Sequence, residues 1–448
     1  MMRIPERLDA LPLTRLHLTV ALACSVALGV DLMEMSLGNA LAAVFSAPPY
    51  NMDARHLSWL IAAVFLGAII GAPLLGRLAD RRGLKTVLVA ALAWLGFTSL
   101  LAAASADSTW LMATRFFSGL SLGALPPLII AYLTALAPPR FRGVYIFWTC
   151  AFGFLAGPAA VFSIRWLTPL HPWGVEGWRW PFAGAAFMAL GASAVLVYLP
   201  ESPRWLLAVA RYPLAMAAFE RFNRSRPVWA GQKAQIPRAV SSPGVDGSAA
   251  AGLGSLSATD GRWRLLFLAT IYSLQPASSL GFTLLTGPIL LQRGYDLSNT
   301  LLYVGVATFG PSVSTLIAGV FIDRIGRREG LALCAAVMLS AVAMFFTFDT
   351  PIWAMLAVAL FGIAQGLYVP LMTTYGAEMF PTRLRASATS TAWSMNRISS
   401  FLAPMTVFQI LQRNGSQVTA VLIYIPLVLS IVLLLTYGPR GVAGRGVA

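Results

Sequence analysis

Charge is what this chain has least of. Asp, Glu, Lys and Arg make up 11% of its 448 residues, against about a quarter in a soluble chain. That scarcity excludes the two or three soluble domains such a length would otherwise hold. Lysine is almost missing, with only Lys85 and Lys233 among 32 basic residues. Cysteine is scarce too. Cys24, Cys150 and Cys334 all fall inside apolar runs, so no disulfide framework is expected and each reads as a small buried hydrophobe. The three histidines, His17, His56 and His171, are too scattered to make a metal-binding spacing. No paired nucleophile and base, phosphate-cradling glycine loop or ATP motif occurs in the polar segments. Enzymatic chemistry and a bound cofactor are therefore not expected.

What the chain holds instead is hydrocarbon. Hydrophobic residues make up 58% of it, and apolar stretches of about twenty residues recur along it, each long enough to cross about 30 Å of lipid as a helix. Twelve can be counted, at about 17–44, 57–76, 85–104, 109–137, 143–165, 180–200, 264–291, 299–321, 329–348, 352–376, 386–410 and 418–437. Lipid-exposed backbone must satisfy its own hydrogen bonds, so the pattern predicts an all-α membrane protein with twelve transmembrane helices. The first run is too long for a signal-peptide core and lacks a small-residue cleavage site, so it is expected to stay in the mature chain.

A net charge of +15 would point to nucleic acid in a soluble protein. Its placement points elsewhere. Of the 32 Lys and Arg residues, 25 fall in the two tails and in the connections that follow even-numbered helices. Arg55, Arg165, Arg179, Arg293 and Arg413 lie on the other side, and only Arg115 and Arg397 lie within helices. This asymmetry is the positive-inside rule and places both termini in the cytoplasm. The arginine and alanine bias points to a bacterial inner membrane. Lipid is the expected partner, nucleic acid is not, and a monomer is the expected state. The longest polar interval, 201–262, divides the chain into an N-terminal six-helix bundle (1–200) and a C-terminal one (263–448). Within it, Trp205 to Phe222 alternates apolar and basic residues and is expected to form a helix on the inner membrane surface. From Arg226 to about Asp260 the composition reads as a flexible linker.

The two bundles echo each other at an offset of 243 residues. Gly76-Arg-Leu-Ala-Asp80-Arg81-Arg-Gly83 returns as Gly319-Val-Phe-Ile-Asp323-Arg324-Ile-Gly326. The same offset carries Gly67 to Gly310, Gly119 to Gly362, Gly123 to Gly366, Pro127 to Pro370, Tyr132 to Tyr375 and Arg142 to Arg385. These phrases resemble the signature of the major facilitator superfamily, Gly-x-x-x-Asp-Arg-x-Gly between helices two and three and again between eight and nine. Pro200-Glu201-Ser202-Pro203-Arg204-Trp205, Arg115-x-x-x-Gly119 and Glu378-Met-Phe380-Pro381-Thr-Arg383 resemble its sugar-porter, organic-ion and aromatic-acid/proton symporter branches. Asp31-Leu-Met-Glu34 and Asn396-Arg397-Ile398 are similar to elements of the aromatic-acid and nicotinate-type carriers. The sugar porters fit less well: their helix-seven pattern is absent from Tyr272-Ser-Leu-Gln275, and their first-half acid is Ala135 here. The resemblance implies two pseudo-symmetric bundles with a substrate site between them. It also implies a cytoplasmic latch built from Gly76, Asp80, Arg81, Gly83, Gly319, Asp323, Arg324, Gly326, Glu201, Arg204, Glu378 and Arg383. Gly153-x-x-x-Gly157-Pro158 faintly resembles an exporter element, though helix packing accounts for it equally well.

The deep charges are the functional candidates, because each costs roughly 2.5–3.5 kcal/mol at mid-membrane on insertion scales. Asp31 and Glu34, three residues apart, are expected to share a helix face with Arg115 opposite, and one of them to carry a proton. Arg397 stands as the one deep charge of the second half. Its planar fork suits a carboxylate, and Asn396, Trp393, Gln275, Tyr272 and Tyr368 are the candidates to complete a substrate site. The expected function is secondary active transport: proton-coupled uptake of a small organic anion, aromatic or heterocyclic. A proton antiporter exporting amphipathic drugs or metabolites, and a sugar or organic-cation carrier, are the alternatives.

Overall fold

The computed structural model describes residues 4–46, 54–167, 170, 172–228, 258–292, 309–318, 326–380 and 384–439. Among them the structure is helical throughout, apart from turns and one isolated bridge between Thr14 and Pro227. The first half comprises α1 (Ile4–Asp9), α2 (Arg15–Ser46), α3 (Ala54–Arg82), α4 (Leu84–Ala103), α5 (Ser108–Leu122), α6 (Leu125–Leu136), α7 (Arg142–Phe154), α8 (Ala156–Leu167) and α9 (Arg179–Tyr198). Two short helices follow, α10 (Pro203–Ala208) and α11 (Tyr212–Arg224). The second half holds α12 (Ala258–Gln292), α13 (Phe309–Ala318), α14 (Arg327–Thr347), α15 (Pro351–Met379) and α16 (Arg385–Tyr437).

Ten described segments are long and apolar enough to cross a membrane. Two further described segments fall where the sequence places the remaining two of the twelve spans. One is α13, and the other is the first part of α16, where Ser387, Thr389, Ser390, Ser394, Asn396 and Arg397 dilute the hydrophobicity. At 1.5 Å per residue the 53 residues of α16 would span about 80 Å if straight. They do not run straight. The Ser387 N–H meets Asp80 at the end of α3. Tyr437, at the other end, packs edge-on against Trp263 with ring centroids 6.0 Å apart. The carbonyls just beyond it are held by Arg328 (3.1 Å) and Tyr375 (2.8 Å). Both ends therefore lie on the same face, which is rich in arginine and is called the basic face below.

Three expectations change in detail. The fourth span is not one helix: it breaks at Gly123 and Ala124, ahead of Pro126 and Pro127. The fifth breaks at Leu155. The surface helix is two pieces, because Ala210 takes a left-handed φ of 59° between α10 and α11. The linker beyond Val228, up to residue 257, lies outside the described residues.

The repeat is visible as paired close contacts. A methyl added at Gly67 or Gly71 would strike the backbone of α5, and one at Gly119 or Gly123 the backbone of α3. At the same offset Gly310 faces Gly362 and Ile363, and Gly366 faces Pro311. Tyr132 donates to the Pro200 carbonyl (2.6 Å) and Tyr375 to the Pro439 carbonyl (2.8 Å), so each bundle ties its last helix to its fourth in the same way. Gly153 packs on Leu28, and Gly29 on Ala156. The glycines of that exporter-like phrase thus serve the contact of α7 and α8 with α2.

Candidate functional site

Among the described residues, Asp31, Glu34, Arg115 and Arg397 are the charged side chains buried deep within the spans, away from the basic face. Asp31 and Glu34, expected to share a helix face opposite Arg115, have different partners. Residues three apart differ by about 60° around a helix, and that separation sends the two acids to different partners. Glu34 is held inside the first half. It accepts from Arg115 Nη1 and from the Ser99 hydroxyl, while Arg115 Nη2 donates to the Glu34 backbone carbonyl at 2.8 Å. The Phe182 ring lies 5.6 Å from the Arg115 guanidinium carbon. Ser99 was not legible as a partner, because a serine in an apolar helix carries no signal of its own.

Asp31 faces the other half. Its Oδ1 lies 3.9 Å from Arg397 Nη2 and accepts no hydrogen bond among the described residues. Arg397 is thus not a lone cation awaiting a partner: Asp31 stands across the interface from it. The same Nη2 donates to the Leu122 carbonyl at 3.1 Å. The Trp393 ring lies 5.5 Å from the guanidinium carbon, and both Trp393 Nε1 and Arg397 Nε are buried donors without an acceptor among the described residues.

The remaining candidates form a hydrogen-bonded strip beside this pair. Asn396 Nδ2 donates to Gln275 Oε1 (2.9 Å) and to the Tyr272 carbonyl (3.1 Å), and Gln275 Nε2 donates to the Ser279 hydroxyl (2.9 Å). Tyr272 stands edge-on to Trp393 at 5.2 Å and gives its hydroxyl to the Met372 carbonyl at 3.2 Å. Tyr368 is buried beside Ser430, on the last crossing, and is not among the groups that meet Arg397.

At the basic face, Gly76 is buried one turn before Asp80, and Arg81 is exposed in the last turn of α3. Asp80 crosses between the halves. Leu384 precedes α16 and has no side chain that caps it, so the Ser387 N–H goes instead to Asp80 Oδ2 at 2.8 Å. A carboxylate at a helix N-terminus is favoured by both the free N–H groups and the helix dipole. Gly83 (φ 111°) makes the turn into α4, and a methyl there would collide with the Glu201 carboxylate. Glu201 accepts from the Lys85 and Ser202 backbone at 3.1 and 2.9 Å, capping α4 in place of the glycine. Burial pushes the Glu201 carboxyl above the ordinary value of 4.5, against the downward pull of these N–H groups.

Glu201 and Arg204 therefore tie parts of the first half together and do not bridge the halves. Arg204 pairs with Asp9 of α1 and donates to the Thr134 carbonyl at 3.1 Å. Asp9 lies in a tail with no motif to mark it. Glu378 lies 3.6 Å from Arg327, at the start of α14 beside Gly326. Gly319, Asp323, Arg324 and Arg383 lie outside the described residues.

Two helical bundles meeting around buried charges, with a cap that crosses between them at one face, have the architecture of a membrane transporter. The chain belongs to the major facilitator superfamily, whose family profile matches residues 23–404. It is 27% identical over 405 residues to the putative metabolite transport protein YyaJ of Bacillus subtilis, covering 90% of this chain and 88% of that one. It is 23% identical over 418 residues to the niacin transporter NiaP of Acinetobacter baylyi, covering 91% and 90%. Its fold matches the proton:xylose symporter XylE of E. coli with a TM-score of 0.74 at 16% identity, over 96% of this chain and 97% of that one. The protein is a multi-pass membrane transporter of small molecules.

Proposed function

We propose that this protein imports a small organic anion, an aromatic or heterocyclic carboxylate, together with protons. The observation that carries this reading is the Asp31–Arg397 pair, which spans the two halves at 3.9 Å with the Trp393 ring beside it. A guanidinium next to an aromatic face suits a flat acid, because the fork pairs with the carboxylate while the rings stack. Asp31 faces that fork at 3.9 Å and is its counter-charge before substrate arrives. When the substrate carboxylate takes Arg397, Asp31 is left buried without a counter-charge and is neutralised by a proton. Anion and proton then travel together.

Glu34 holds Arg115 and Ser99 throughout the cycle, so Asp31 is the exchanging acid. The niacin transporter among the relatives carries a heterocyclic carboxylate by name, which supports this substrate class. The basic face is read as cytoplasmic, in a bacterial inner membrane with both termini inside. The halves 1–200 and 263–448 rock about the site, and Asp80 releases α16 when that face opens. One chain is sufficient for this cycle.

A second reading, sugar uptake, draws on the Asn396–Gln275–Ser279 strip, since neutral hydroxyl-rich ligands need paired donors and acceptors. Proteoliposomes decide between them. Under an imposed inward proton gradient, radiolabelled nicotinate or benzoate accumulates and xylose does not. Xylose accumulation without carboxylate uptake refutes the anion reading, and proton efflux on adding outside substrate refutes import.

A further inference from the structure

Proline offers no N–H to the carbonyl four residues back, so each proline inside a helix frees one acceptor. Pro370 frees the carbonyl of Gly366. The Thr315 hydroxyl takes it from α13 at 2.7 Å, and α15 continues from Pro351 to Met379. The repeat sets Pro127 over Pro370, but the first half has one proline more: Pro126, which meets Val369 under the offset. Pro126 deprives the Leu122 carbonyl of its helical donor. The helix is interrupted there even though Gly123 (φ −58°, ψ −33°) and Ala124 (φ −109°, ψ −16°) keep right-handed backbone angles. The freed carbonyl accepts from Arg397 Nη2 at 3.1 Å, whereas Asp31 Oδ1 at 3.9 Å is beyond hydrogen-bond reach.

We propose that Pro126 and the Leu122 carbonyl form a seat that holds the Arg397 guanidinium off Asp31. A guanidinium locked fork-to-fork on Asp31 would have to be pulled from a full ion pair before it could meet any other anion. Seated on a neutral carbonyl, it keeps its orientation, stays at Coulombic distance from Asp31, and leaves Nε uncommitted. Pro126 is thus a positioning residue that acts through Arg397 without touching substrate. The charged groups around Asp31 are Arg397 from α16, Glu34 on its own helix, and Arg115 from α5 behind Glu34. The role given to the seat rests on the anion reading above, but its existence does not.

The test is a ligand-free comparison of the full chain in detergent by thermal unfolding at pH 5 and pH 8. The variants are Pro126→Ala, Pro126→Val (the residue of the second half), Asp31→Asn and the doubles. Restoring the N–H returns Leu122 to its helix and lets Arg397 close on ionised Asp31. The expected result is a Tm gain about 2 °C larger at pH 8 than at pH 5, absent in the Asp31→Asn background. Relief of a mid-helix proline alone would change Tm equally at both pH values and in both backgrounds. That outcome overturns the proposal, as does an unchanged or uniformly lowered Tm. Benzoate provides the separate arm: if its stabilisation of the wild type survives Arg397→Ala, the anion reading falls, while the seat is still judged on the ligand-free result alone.

Discussion

In the second half, the carbonyl freed by Pro370 is closed off by Thr315 of the same half; in the first, the carbonyl freed by Pro126 is used by Arg397 of the other half. Helix N-termini follow the same division. Glu201 caps α4 from within the first half, whereas α16 receives its cap from Asp80 across the interface. Loose ends satisfied locally make joints that persist through a conformational cycle. Those satisfied from the opposite half make joints that must open when the halves part. The two kinds of joint use similar chemistry and differ only in which body supplies the partner.

Substitutions can separate the two kinds. The largest effect is expected at Glu34, which belongs to a fixed joint: Glu34→Gln strands Arg115 and should cost about 3–5 kcal/mol, read as loss of folded protein in chemical or thermal unfolding. Asp31→Asn, three residues away at a crossing joint, should fold normally, lose gradient-driven accumulation and retain substrate exchange. Equal behaviour of the two variants would dissolve the distinction between the acids. Arg397→Ala should lower benzoate uptake about 100-fold, in line with truncating one member of a buried charge pair, with wild-type uptake as the refuting result. Thr315→Val should cost about 1–2 kcal/mol of stability by leaving the Gly366 carbonyl unpaired, with transport kinetics unchanged.

Asp80→Ala should cost the releasable cap about 1 kcal/mol. A cysteine placed at Ser387 would then be labelled by a membrane-impermeant maleimide about fivefold faster from the basic face. The smallest effect concerns pH. Because burial raises Glu201 above its ordinary value of 4.5, the folded state binds that proton more tightly than the unfolded state does. Stability then falls as pH rises from 4.5 through the raised value. Glu201→Gln should flatten that part of the Tm-versus-pH curve.

The scaffold was readable from the chain because lipid enforces it. Twenty apolar residues have few other uses, and the doubled glycines state which helices approach closely. Asp31, Glu34, Arg115 and Arg397 stood out because a charge at that depth is costly. Their pairings were not readable, since a turn of 60° on α2 decides whether an acid meets Arg115 or Arg397, and no linear spacing encodes that. Arg397 looked solitary only because its partner lies 366 residues earlier, in the other bundle. Ser99 and Asp9 carry no pattern that marks them as partners. The extra proline at 126 was in plain view, but an apolar run of 29 residues from 109 to 137 reads as one uninterrupted helix.

The glycine contacts between α3 and α5, and between α13 and α15, set backbone directly against backbone. Such surfaces have no side-chain cushion to compress, so each bundle is stiff in the plane of those helices. Stiffness gives the halves the mechanics of two levers. In the proposed transport cycle, displacement at the Asp80 end would not be absorbed along α3 and would reach the mid-membrane charges as relative movement of Arg397 against Leu122. Enlarging Gly67 or Gly119 would therefore do more than crowd a contact. It would add play to the lever, so that the face could loosen without the site responding.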